Sequence, residues 1–155
     1  MTVYLVRHAK AGDRDTWLED DRLRPLSSRG HLQARLLIEL LHDASFDRIL
    51  SSPYVRCMET VVPIAGGRGM AVEPVGELTE GVALEDAVAL VRKHAVAGAV
   101  MCTHGDVLPM LLDYYAAMGV DIPADREWPK GCMWTLETDN TGEVVRARYT
   151  APPST

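Results

Sequence analysis

Four short apolar runs in this chain each break off into residues that can handle an anion. Val3–Val6 runs into Arg7 and His8, and Phe46–Leu50 runs into Ser51, Ser52 and Pro53, with Arg56 in the next helical turn. A third run, around Met70–Val75, is followed by GELTEG, which carries Glu77 and Glu80, and the fourth, Gly98–Cys102, leads into Thr103, His104 and Gly105. Arginine offers a planar fork of permanent donors, and histidine changes charge near neutral pH. Taken singly, each residue has a bland role available: Arg56 has Glu59 and Glu80 as ion-pair partners, and Thr-His-Gly suits a turn. Taken together they need a common edge. Parallel strands would supply it, because ligands of open α/β sheets bind where the strands end, and helix N-termini starting there favour anions.

The elements that must position them follow from periodicity. The apolar runs are too short for helices and rich in residues that pack well on a pleated surface. Between them lie helical patterns. One is capped by Ser27 or Ser28, with a stripe of Leu32, Leu36, Leu37, Leu40 and Leu41. A second starts from Ser52 as N-cap with Pro53 at its first position, and Pro63 should end or kink it. Two more span Leu84–Ala97 and Val107–Met118, the latter capped by Asp106. CMWTLE and EVVRARYT around DNTG read as an antiparallel hairpin. Strands alternating with helices predict a three-layer α/β/α sandwich with a mostly parallel sheet and a C-terminal antiparallel hairpin. The polar segment Ala11–Pro25 reads as a long surface loop, of a length that is uncommon without a function. Lys10 and Arg24 could extend a positive pocket from it, whereas Arg22 reads as a solvated charge. His31, His42 and His94 read as surface residues.

At 155 residues the chain is read as a single domain, residues 1–155, long enough to close a sizeable core. A formal net charge of −6 argues against a general nucleic-acid binder. Any anionic ligand must then be drawn in by local cations and not by the overall field. Cys57, Cys102 and Cys132 have no metal-ligand spacing, and no metal or cofactor is expected. The absence of a leader pattern and of a long apolar window predicts a cytoplasmic protein without a membrane span. Oligomeric state is not legible.

Four segments in this order, LVRHA at Leu5–Ala9, RPLSSRG at Arg24–Gly30, SSPYVRCMET at Ser51–Thr60 and THG at Thr103–Gly105, resemble the histidine phosphatase superfamily, also called phosphoglycerate mutase-like. Within it the chain looks most like the short SixA-type phosphohistidine phosphatases. It is also similar to phosphatase domains that follow a Nudix domain in bacterial nucleotide-pool hydrolases, a likeness strengthened by PKGCMW at Pro129–Trp134. Ala9 stands where the family usually has glycine.

The resemblance implies roles. His8 would be the nucleophile that accepts a phosphoryl group; Arg7, Arg56 and His104 would bind that group, with Arg24 as a further phosphate ligand; Glu80 would be the acid/base. It implies a metal-independent phosphatase acting on a phosphorylated protein or a small phosphorylated substrate. The preferred expectation is phosphohistidine on a protein, because the short span between Arg56 and Glu80 leaves no room for a large lid. Alternatives are a small ester or nucleotide, or a non-catalytic phosphate-binding module. The intact histidine argues against the last, since binding alone does not require a nucleophile.

Overall fold

A computed structural model describes residues 1–155. Its six strands form one sheet in the order β3-β2-β4-β1-β5-β6. They are β1 (Thr2–Arg7), β2 (Arg48–Ser51), β3 (Val72–Pro74), β4 (Ala99–Thr103), β5 (Met133–Thr138) and β6 (Val144–Thr150). The first four run parallel, β5 pairs antiparallel with β1, and β6 extends the sheet beyond β5. The hairpin expected at the C-terminus is therefore continuous with the central sheet.

Four helices cover the faces: α1 (Ser28–Leu40), α2 (Val55–Arg68), α3 (Leu84–Ala95) and α4 (Val107–Ala117). The alternation of β1 and β4 assigns them. Val3, Leu5, Ala99 and Met101 pack with α3 and α4, while Val6, Val100 and Cys102 pack with α1 and α2. All five residues of β4 are buried, as expected of a strand covered on both sides. The result is the three-layer α/β/α sandwich expected from the sequence.

Two helical expectations need correction. In α1 the buried positions are Gly30, Ala34 and Leu37, continued by Leu41, while Leu32 and Leu40 are exposed. The inward face is set by the close approach of Gly30 to the chain after β1, where an added Cβ would stand 1.9 Å from the Lys10 carbonyl oxygen. In α2, Pro63 lies inside the helix, which continues to Arg68 and ends on Gly69 at φ 64. Burial of Cys57, Val61, Ile64 and Ala65 against the sheet holds the helix through the missing N–H.

Candidate active site

β1 and β4 are neighbours, with Arg7 opposite Thr103, so the residues that follow them emerge side by side. The rings of His8 and His104 lie 5.5 Å apart. Around His8 the backbone is pinned on every side. Its N–H donates to the Thr103 carbonyl at 3.0 Å, and the Gly131 N–H bonds the carbonyls of both Arg7 and His8. The Ala9 N–H donates to Thr60 Oγ1, which itself donates to the Arg56 carbonyl at 2.7 Å. His8 Nδ1 sits 2.8 Å from the Ala9 carbonyl oxygen. A carbonyl only accepts, so Nδ1 carries the proton and Nε2 keeps its lone pair. Burial pushes the His8 pKa down to about 3; His104, Arg56 and Arg7 add to this, and the Ala9 carbonyl opposes it only in part. The imidazole is therefore neutral at ordinary pH, with the Nε2 lone pair free.

Arg7 donates Nη1 to the Trp128 carbonyl at 2.8 Å and lies flat against Gly105, where an added Cβ would stand 2.6 Å from Nη2. Arg56 is fully buried. Its Nη1 donates to the Asp21 carbonyl at 2.8 Å, and its Nη2 to Asp21 Oδ2 at 3.0 Å and to Glu80 Oε1 at 2.8 Å. The Nε atoms of Arg7 and Arg56 are buried without a partner. His104 places Nε2 2.8 Å from Ser52 Oγ and Nδ1 3.3 Å from the same Glu80 oxygen. Tyr54 packs its ring edge-on to His104 and beneath the Arg56 guanidinium. One carboxylate oxygen thus joins the buried arginine to the second histidine.

A cleft of about 860 Å³ is lined by Arg7, His8, Arg24 and Glu80 among others, whereas Arg56 and His104 are buried and do not line it. Arg24 is buried; its Nε donates to Asp21 Oδ1 and its Nη1 to the Gly12 carbonyl. Lys10 lines the cleft, whereas Arg22 pairs with Asp20 at the surface. Glu77 is an exposed residue of a one-turn helix, Gly76–Leu78, and lies outside the cleft.

Two capping expectations are corrected by what the side chains do instead. The N-cap of α2 is Tyr54, not Ser52, because the Ser52 hydroxyl is engaged with His104 and with the Tyr54 N–H. Asp106 is the N-cap of α4 by position, as expected, but its side chain makes no capping bond; its Oδ2 accepts the Gly81 N–H at 2.8 Å and so anchors the loop that carries Glu80. Sequence reasoning also missed Asp21, Arg14 and Lys130. Asp21 is one of several acidic residues in a polar loop, and no spacing distinguishes it.

No group of three His, Cys, Asp or Glu side chains is arranged to hold a metal ion. No helix is long and apolar enough to cross a membrane.

The profile of the histidine phosphatase superfamily (branch 1) matches residues 3–86. The 8-oxo-(d)GTP phosphatase of Mycolicibacterium smegmatis is 34% identical over 157 residues, covering 98% of this chain and 48% of that protein. The adenosylcobalamin/alpha-ribazole phosphatase of Escherichia coli is 33% identical over 81 residues, covering 52% of this chain and 40% of that protein. The chain thus spans half or less of the length of these curated relatives. Among solved structures, the protein histidine phosphatase SixA complexed with tungstate superposes with a TM-score of 0.74 at 20% identity, over 97% of this chain and 95% of that one. The putative phosphohistidine phosphatase SixA from Agrobacterium tumefaciens gives 0.75 at 23% identity, over 98% of each. At such identities the likeness is one of fold. With four ordered motifs, the fold they require and a matching profile over more than half its length, the chain belongs to the histidine phosphatase superfamily.

Proposed function

We propose that this chain is a phosphatase domain that hydrolyses a small anionic phosphate ester, with nucleotides as the favoured class, through a phosphohistidine intermediate. The observation that carries the choice of substrate is Glu80. Its Oε1 lies 2.8 Å from Arg56 Nη2 and 3.3 Å from His104 Nδ1, and its side chain is 38% exposed, toward the cleft that holds His8. A carboxyl group beside the phosphoryl-binding cations is what a poor, alkoxide-like leaving group needs. A phosphohistidine substrate has an imidazole leaving group and does not need it. The M. smegmatis relative, whose likeness runs over nearly the whole chain, acts on a nucleotide by its name.

His8 Nε2 attacks phosphorus; the N–P bond forms as the ester P–O bond breaks, and the leaving oxygen takes the proton of Glu80. Arg7, Arg56 and His104 hold the equatorial oxygens as charge builds on them. Water then attacks phospho-His8 and gives a proton to Glu80, and phosphate leaves with the imidazole restored. None of these steps uses a metal ion.

A second reading, phosphohistidine on a protein, is supported by the short connection between α2 and Glu80, which leaves the cleft uncovered by any large insertion. The three free, buried cysteines fit a reducing compartment, as the cytoplasm is. Phosphate release from nucleotides, alkyl phosphates and a phosphohistidine peptide separates the readings. Faster turnover of the esters supports the first, and turnover of the peptide alone transfers the assignment to the second. Phosphate binding without turnover of any substrate leaves a binding module.

A further inference from the structure

Although the chain carries a net charge of −6, one cleft gathers five of its 16 lysines and arginines. Beyond Arg7, the walls around His8 include Lys10, Arg14, Arg24 and Lys130. Three carboxylates share the cleft, and none pairs with Lys10, Arg14 or Lys130. Asp13 Oδ1 accepts the Asp15 N–H, Asp106 Oδ2 accepts the Gly81 N–H, and Glu80 serves Arg56 and His104. Arg24 shares Asp21 with Arg56, and Lys10, Arg14 and Lys130 take part in no ion pair.

Two of these cations, Lys10 and Lys130, are carried on fixed backbone. The Lys10 N–H is held by Gln33 Oε1 at 3.0 Å, and its carbonyl accepts from both the N–H and the hydroxyl of Ser27. Lys130 sits on a turn closed by the Cys132 N–H on the Pro129 carbonyl, and Gly131 ties that turn to Arg7 and His8. Burial lowers the Lys130 pKa from its usual value, and Arg7, Arg24, Arg14 and Lys10 add to the effect, so Lys130 feels the other four cations. Five cations against three carboxylates in one cleft leave an excess of like charge, and a bound anion removes that repulsion.

By the phosphatase reading above, one transferred phosphoryl group is served by Arg7, Arg56 and His104. Four further cations are in excess of what it can use. We propose that Lys10, Arg14, Arg24 and Lys130 form a second anion subsite, which takes a second phosphate group of the same substrate while the first reacts at His8. The preferred substrate class is then a small molecule bearing two phosphates. This rests on the phosphatase reading above for the fate of the first phosphate, but not for the binding of the second.

The test is therefore a binding measurement. The affinities of adenosine 5′-monophosphate, adenosine 5′-diphosphate and adenosine 3′,5′-bisphosphate are measured by calorimetry on the His8→Ala protein, which cannot turn them over. At least one two-phosphate ligand should bind about tenfold or more tightly than the monophosphate, with a steeper loss on adding salt. Arg14→Gln with Lys130→Gln should collapse that preference toward unity, and Lys130→Glu should do the same, each checked for folding by its thermal melt. Which linkage is preferred tells a diphosphate from a bisphosphate, and either supports the subsite. Equal affinities for all three ligands would overturn it, as would a preference untouched by the substitutions. Binding of a monophosphate together with separate orthophosphate, without preference for the linked pair, would overturn the single-substrate form. If no ester is turned over while the preference survives, the phosphatase reading fails and the subsite stands.

Discussion

Gly105 gives the most discriminating single substitution, because adding one methyl group there acts on one catalytic candidate through geometry alone. In Gly105→Ala the new Cβ would lie 2.6 Å from Arg7 Nη2, 2.7 Å from Cζ and 2.9 Å from Nε. Carbon contacts relax at about 3.5 Å or more, so the guanidinium must retreat by roughly 1 Å. That retreat stretches the 2.8 Å bond from Nη1 to the Trp128 carbonyl and takes the fork away from the phosphoryl position. A displacement of about 1 Å can cost about 100-fold, and loss of a preorganised donor about 100- to 1,000-fold. We expect kcat/KM on an aryl phosphate to fall by about 100-fold. Stability should change little, since the obstructing atoms end a side chain and alanine lowers the entropy of the unfolded chain by an amount worth about 0.4–1 kcal/mol. The contrast is Gly30→Ala, where the Cβ would meet the Lys10 carbonyl at 1.9 Å and backbone must yield. There the loss should appear in the melt, at about 1–3 kcal/mol for an overpacked site. Near wild-type kcat/KM in Gly105→Ala would refute the reasoning. So would an equal loss from Gly105→Ala in an Arg7→Ala background, where no guanidinium remains to displace.

Glu80→Gln should lower the rate on alkyl or nucleotide phosphates by about 100-fold or more and on aryl phosphates far less, because only the alkoxide needs a proton. Parallel losses on both classes would show that Glu80 acts only as a partner of Arg56. His8 has its folded pKa lowered to about 3 from 6.5, so between those values the unfolded chain binds more protons than the native one. Stability from this residue is therefore full above pH 6.5 and is lost as pH falls toward 3. Chemical denaturation between pH 7 and 4 should show a shallower decline in His8→Ala than in the wild type, and identical slopes would contradict the buried neutral imidazole.

What could be read from the sequence was whatever local chemistry determines. Apolar runs gave the strands, and their abrupt ends gave Arg7, His8, Arg56 and His104, which the fold delivers to one sheet edge. What could not be read depends on contacts between distant positions. Ser52 looks like a helix cap until His104, 52 residues away, takes its hydroxyl. Asp21 is one carboxylate in a polar loop until the loop folds back 35 residues to meet Arg56. Asp106 is diverted to Gly81 by a contact across 25 residues, and so helps to place Glu80. Lys130 and Arg14 carry no local signal, because their meaning lies in converging on one cleft. The leucines of α1 misled for a related reason. Its buried face is chosen by the contact of Gly30 with Lys10, not by the largest apolar side chains.

The central claim is that His8 carries the phosphoryl group, and trapping it is the most direct measurement. Wild-type protein is mixed with a radiolabelled phosphate ester in excess, quenched in alkali during turnover and digested, and the labelled peptide is sequenced. The label should survive alkali, be lost in mild acid, map to His8 and be absent from His8→Ala, which should stay folded and inactive. A label on another residue, or undiminished turnover in folded His8→Ala, would contradict it.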